Sequence, residues 1–265
     1  MNRTAAAQTL LALAAVACLL PRLAAATSSH DPDAALRTSQ AAIGNTLGDL
    51  RFTDVHDEEF RLAGLRGKPL IVSFIYTSCH HVCPMFTRNL SSTVEIAAEA
   101  LGDDAFNVVT IGFDWAADSP DRMRMFAASQ GVARPNWYFL SGDAESVSAL
   151  SESTGFLFSP SAKGFDHLLQ VTIVDRDGRV YRQVYGEGLD AQAIVEPLKE
   201  LVFDSPTGAN PVTRWIDRFK LFCTVFDPNS GRYQFDYSIA VTVLTGLLSL
   251  AAIGYFVVRE WRRVQ

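Results

Sequence analysis

Apolar positions along the chain follow two periods. Residues 70–76 (Leu-Ile-Val-Ser-Phe-Ile-Tyr) are β-branched, aliphatic or aromatic on both parities, the pattern of a strand covered on both faces. Residues 107–113 repeat that pattern, and residues 137–140 form a shorter version. Between these runs the apolar period is helical, which predicts helices from Pro84 to about Leu101, and over 119–130, 143–153 and 190–202. Residues 168–174 and 179–185 flank Asp175-Arg176-Asp177-Gly178, which reads as the turn of a β-hairpin. Residues 43–65 hold short apolar alternations broken by Gly44, Gly48 and Gly64, with Phe52 and Phe60 suited to a small hairpin.

The two ends carry apolar runs of another kind. Arg3, the run 10–20 and Ala24-Ala25-Ala26 read as a secretory signal cleaved near Ala26, and Pro21 argues against a first membrane helix. Val16-Ala17-Cys18 loosely resembles a lipidation signal, but the residues after Cys18 stay apolar. Residues 238–258 are uncharged and, as a helix, about 30 Å long, which matches a bilayer core. Trp261 suits the interface, and Arg259, Arg262 and Arg263 mark a cytoplasmic tail, residues 259–265. The expectation is a single-pass protein of the inner (cytoplasmic) membrane with its main domain, residues 43–204, on the periplasmic side. Residues 27–42 read as a loose leader. Residues 205–237, rich in Pro, Gly and Asn, read as a linker with an amphipathic piece over 214–222.

A strand, thiol loop and helix followed by strand, helix, terminal hairpin and helix predicts an α/β three-layer sandwich of thioredoxin type with a C-terminal transmembrane helix. No internal repeat or phosphate-binding glycine loop is present. The composition, 48% hydrophobic with a formal charge of -6, is that of a globular protein. Without a basic stripe, an acidic body excludes nucleic acid as a partner. Signal cleavage leaves three cysteines, Cys79, Cys83 and Cys223, too few for a disulfide-stapled scaffold. A thiol pair in such a domain is a redox or metal device.

Cys79-His80-His81-Val82-Cys83-Pro84 sits where a buried strand turns into a helix. Helix N-termini favour thiolate over thiol, and Pro is tolerated in a first helical turn. Redox thioredoxins usually have two residues between their cysteines; the three here suit a shared metal at least as well. Two thiolates with an imidazole form a soft set for copper, Cu(I) in particular, with zinc the main competitor. His167, just ahead of the hairpin strand, is placed by a thioredoxin topology on a loop that can approach the thiols.

These residues resemble a known family. Phe74-Ile75-Tyr76-Thr77-Ser78-Cys79, Cys83-Pro84, Asp114 with Asp118-Ser119-Pro120, Phe165-Asp166-His167 and Asp175-Arg176-Asp177-Gly178 are similar in order and spacing to the Sco/SenC family over residues 47–202. The resemblance implies a thioredoxin fold binding one copper through Cys79, Cys83 and His167. It also implies a role in maturing the dinuclear copper site of cytochrome c oxidase subunit II, by copper delivery or by reduction of that site's cysteines, with an upstream copper donor or thiol reductant. Trp115 stands where the family commonly has Pro, and Leu168 where Ser or Thr often follows the histidine. The anchor is C-terminal, whereas many family members have an N-terminal one.

Other positions have plainer readings. His80 and His81 are solvated loop residues that tune the thiols, or transient copper ligands. Asp114 is either a turn residue ahead of the helix or an orienting group. Phe156 and Phe158 read as core. Cys223 reads equally as an auxiliary thiol or an inert one. The functional alternatives are a metallochaperone, which needs all three ligands; a thiol–disulfide oxidoreductase, which needs only Cys79 and Cys83 as a redox pair; and a redox sensor with the same site. A peroxidase is weakened because no arginine adjoins the paired thiols in sequence.

Overall fold

The computed structural model describes residues 31–203, 224–227, 232–235 and 237–264, with the side chains of 224–240 and of scattered later positions outside the description. The expected signal, Cys18, the piece 214–222 and Cys223 lie outside the described residues.

Seven strands form one sheet in the order β2-β1-β5-β4-β3-β8-β9. They are β1 (Arg51–Asp54), β2 (Glu59–Arg61), β3 (Leu70–Ile75), β4 (Asn107–Gly112), β5 (Trp137–Ser141), β8 (Gln170–Val174) and β9 (Val180–Tyr185). The strands β3, β4 and β5 run parallel, with Leu70 opposite Asn107 and Val108 opposite Trp137; β8 joins β3 antiparallel, Leu70 opposite Val174. Every residue of β3, β4 and β8 is buried. A sheet centre covered on both faces is the α/β sandwich that the double-parity apolar runs predict.

The helices follow the predicted spans closely. They are α2 (Val82–Leu101), α3 (Pro120–Gln130), α4 (Ala144–Thr154) and α5 (Ala191–Phe203). Ser119 and Asp143 become N-caps, accepting from the amides of Arg122 and Ser146. The helix α5 lies over β8 and β9 and packs against α2, whose N-terminus carries the thiols. Gly178, with φ +85, closes the β8–β9 turn onto the Asp175 carbonyl.

Two expectations change. The supposed loose leader contains α1 (Pro32–Ala41), started by Pro32 and capped by the Asp31 carboxylate. Small residues at helical spacing, Ala35, Ser39 and Ala42, give α1 a face narrow enough for close packing, and all three are buried. The Ser39 hydroxyl meets the Tyr185 hydroxyl at 2.9 Å. A Cβ on Gly155 would come within 2.6 Å of the Thr38 carbonyl oxygen, so a side chain there would push α1 away. The second change is a hairpin inside the expected linker, β10 (Thr224–Asp227) paired with β11 (Arg232–Phe235).

The segment 238–258 lies within a 28-residue helix, α6 (Tyr237–Val264), on which Leu244, Leu247, Leu248, Leu250 and Ile253 are exposed. Among the described residues no helix is long and apolar enough to cross a membrane.

Candidate metal-binding thiol site

The loops that leave two parallel strands side by side share the carboxyl edge of the sheet, where α/β folds place their sites. The pairing of β3 with β4 is continued by the Phe113 amide, which donates to the Ile75 carbonyl at 2.9 Å. Beyond it, the thiol loop and the 114–118 turn are joined by one buried carboxylate. Asp118 Oδ1 accepts from the Thr77 amide at 2.8 Å and the Thr77 hydroxyl at 2.7 Å, while Oδ2 accepts from the Asp114 amide at 2.9 Å.

The N-cap of α2 is His81, whose side chain makes no capping bond. Instead the Cys79 sulfur accepts the Cys83 amide at 3.3 Å. A sulfur thus occupies the place of an N-cap oxygen, where unpaired amides and the helix dipole favour negative charge. Both thiols are free; Cys79 is half-buried and Cys83 is 1% exposed.

This placement makes the thiols unequal. Burial would push Cys79 up, but the Cys83 amide, the Cys83 thiol, the His81 amide and the Tyr76 hydroxyl together hold it below the ordinary thiol value. Burial pushes Cys83 far up, only partly opposed by the Tyr76 backbone, and the neighbouring Cys79 raises it further. Cys83 therefore holds its proton more tightly than Cys79 does. Burial, followed by the nearby Cys79, raises the Tyr76 phenol to about 12.

His167 ends β7 (Gly164–His167), which pairs with β6 (Phe158–Ser161) in a hairpin separate from the main sheet, Phe158 opposite His167. The sequence reading places His167 on a loop; Pro160 and the polar residues around it hide this short hairpin. The imidazole stands 5.3 Å from Phe113, 5.5 Å from Phe156 and 6.1 Å from Tyr76, between ring centroids. Its Nδ1 lies 2.9 Å from the Leu168 carbonyl oxygen. With the proton on Nδ1 that contact is a donation, and the lone pair sits on Nε2, the arrangement usual for a ligating histidine. The fold brings Cys79 and Cys83 together and sets His167 edge-on to the ring of Tyr76, which leads into the thiol loop. Among the described residues, no three Cys, His, Asp or Glu side chains converge as a ready-made metal site.

Comparison with known proteins identifies this architecture. The model of the family described as SCO1/SenC matches residues 38–202. The chain belongs to the SCO1/SenC family. It is 25% identical over 142 residues to the SCO1 protein homolog of Bacillus subtilis (strain 168), covering 51% of this chain and 71% of that one. To a protein of Stutzerimonas stutzeri described as copper-binding it is 25% identical over 177 residues, covering 63% and 82%. It superposes with a TM-score of 0.54 and 22% identity on BsSco, a member of the Sco family of cytochrome c oxidase assembly proteins, covering 60% and 94%. The SCO1/SenC match begins inside α1, in agreement with that helix being part of the domain.

Other residues singled out in this SCO1/SenC chain sort by burial. His80 and His81 are exposed, as solvated loop residues should be. Phe156 is buried and stacked on Phe74 at 4.2 Å, and Phe158 packs 4.8 Å from Phe113, so both serve the core. The Asp114 carbonyl accepts from the Ala117 and Asp118 amides, the turn role. Trp115 is 48% exposed beside Phe158. Sequence reasoning missed three residues: Asp118, Tyr76 and Arg122. The Arg122 guanidinium reaches the Ser78 hydroxyl at 3.3 Å, so an arginine does stand beside the thiol loop. The Asp118-Ser119-Pro120 cap signature was legible, but not that its aspartate turns inward.

Proposed function

We propose that this chain carries copper as cargo. The Cys79 and Cys83 thiolates and Nε2 of His167 take one ion per chain, Cu(I) or Cu(II), and pass it to the dinuclear site of cytochrome c oxidase subunit II. The observation that carries this reading is the Cys79 sulfur on the Cys83 amide at an amide-rich helix start, with His167 edge-on to the Tyr76 ring beside the thiol loop and its Nδ1 on the Leu168 carbonyl. Soft sulfur donors suit Cu(I). The copper-binding description of the Stutzerimonas stutzeri relative and the assembly role of BsSco support the same direction. Completing the donor set asks His167 to close on the sulfurs. The β6–β7 hairpin is outside the seven-stranded sheet, so it can shift without breaking that sheet's hydrogen bonds. Binding also requires Cys83 to lose the proton that burial retains, which links uptake to proton release. An upstream copper donor or thiol reductant reloads the pair.

The same reading includes export by residues 1–26 and anchoring by residues 238–258, with the domain on the periplasmic side of the inner membrane. The exposed leucines of α6 support an apolar setting for that helix.

The unequal thiols favour one second reading, a thiol–disulfide oxidoreductase. There the Cys79 thiolate attacks a partner disulfide and expels one partner thiolate. Cys83 then gives up its proton, attacks the mixed disulfide and releases the second, leaving a Cys79–Cys83 disulfide and a reduced partner.

The discriminating experiment mixes the copper-loaded chain with the metal-free soluble domain of subunit II. Copper appearing on the acceptor supports the carrier. Reduction of an oxidised acceptor by the metal-free chain, without any copper transfer, would replace it with the oxidoreductase.

A further inference from the structure

An exposed ring and an unpaired cation share one rim of the thiol site. The 114–118 turn lies beside the thiol loop, because Asp118 accepts from both the Thr77 and Asp114 amides. The Arg122 guanidinium bridges the same two segments, donating to the Ser78 hydroxyl at 3.3 Å and the Ala117 carbonyl at 3.4 Å. Trp115 stands on that turn, 48% exposed. Its ring meets Phe158 edge-on at 6.2 Å, and Phe158 lies opposite His167 in the β6–β7 hairpin. Trp115 is therefore set between the loop that carries the thiols and the hairpin that carries the histidine. Leu157, beside Phe158, is 43% exposed.

Burying the open half of the Trp115 ring against a partner would remove apolar area from water. Among the described residues Arg122 forms no ion pair, whereas Arg124, two residues on, is paired with Asp121. An unpaired cation at a rim is complemented by an acidic group on the partner. Trp and Arg are also the residue types on which interface binding energy concentrates. The chemistry of the site says what covers this rim: copper handover and thiol–disulfide exchange both bring an acceptor sulfur into contact with the half-buried Cys79. An acceptor seated there also lies over the neighbouring turn.

We propose that Trp115 and Arg122 form the docking face for the protein acceptor. The acceptor presents an apolar group to the Trp115 ring and a carboxylate to Arg122 while its thiols meet Cys79. The proposal rests on the copper reading for the identity of the acceptor.

The test uses the full chain with Trp115→Ala or Arg122→Gln, and the metal-free soluble domain of subunit II as the probe. Copper transfer is followed as the acceptor concentration is raised. Trp115→Ala raises the half-saturating concentration about ten- to thirtyfold and Arg122→Gln about three- to tenfold. Transfer from Arg122→Gln also loses much of its salt dependence. Copper loss to a small chelator stays within twofold of wild type, because a small molecule needs no docking face. Half-saturation within twofold of wild type in both variants overturns the proposal, and in one variant overturns that residue's part. Equal slowing toward chelator and acceptor also overturns it, since the two residues would then merely support the thiol loop. If wild type passes no copper but reduces the oxidised acceptor, the copper reading fails, and half-saturation of that reduction decides the docking face. If wild type does neither, the face and the copper reading fall together.

Discussion

Replacing Asp118 by Ala should detach the thiol loop from the sheet. The carboxylate is 2% exposed and accepts three hydrogen bonds, two from Thr77 and one from Asp114. The Thr77 hydroxyl can turn to water; the two amides cannot follow without moving the loop. An unpaired buried amide costs about 1–3 kcal/mol, so two cost about 2–6 kcal/mol. Removing a carboxylate that burial disfavours returns part of this, for a net loss of about 2–4 kcal/mol. Asp118→Asn keeps one acceptor oxygen but turns an NH2 toward the Asp114 amide, and should cost about half as much. The pH dependence has a definite sign. Burial, opposed by Thr77 and Asp114, leaves the folded carboxyl above its ordinary value of 3.8. The folded state therefore binds this proton more tightly than the unfolded state. Its contribution to stability is complete below 3.8 and is lost as pH rises through the raised folded value. Asp118→Asn should lack that slope. The assay is urea unfolding of reduced, metal-free protein between pH 3 and 7. A loss below about 1 kcal/mol for Asp118→Ala would refute the reasoning, because it would mean the loop holds its place without the carboxylate.

Three further outcomes follow from the packing. Cys79, half-buried with its thiol held low, should react with iodoacetamide at neutral pH well before Cys83, whose thiol is buried and held high; peptide mass spectrometry showing Cys83 labelled first would contradict the site description. Gly155→Ala places a side chain at φ +65 against Thr38 and Ser39 and should cost about 1–3 kcal/mol, read by thermal unfolding; an unchanged midpoint would mean α1 is not docked. By the same logic a chain beginning at Ile43 should melt below one beginning at Asp31, since it lacks the buried Ala35 and Ser39.

The sheet was legible because its signal is local. The runs at 70–76 and 107–113 are apolar on both parities only because helices cover both faces, and the helix caps at Ser119 and Asp143 announce themselves within a few residues. The thiol pair was legible for the same reason, as a motif at a strand end. What connects the site is not local. Thr77 and Asp118 are 41 residues apart, and the Tyr76 ring meets the Phe165 ring across an even longer span, so no period or spacing reveals either contact. Asp114 and Asp118 look alike in sequence; only the fold decides which one turns inward. The leader was misread although Asp31-Pro32 is a helix-start signal, because α1 has little apolar surface and depends on small residues meeting Gly155.

The central claim is that Cys79, Cys83 and His167 act as one copper site. The direct measurement is copper retained by the reduced, anaerobic chain against a competing chelator, for wild type and for Cys79→Ser, Cys83→Ser and His167→Ala. The account predicts one tightly held ion in wild type, with each substitution weakening retention and His167→Ala leaving dithiol oxidation intact. Retention by His167→Ala equal to wild type would contradict the three-ligand site, and the absence of specific copper in wild type would contradict the account as a whole.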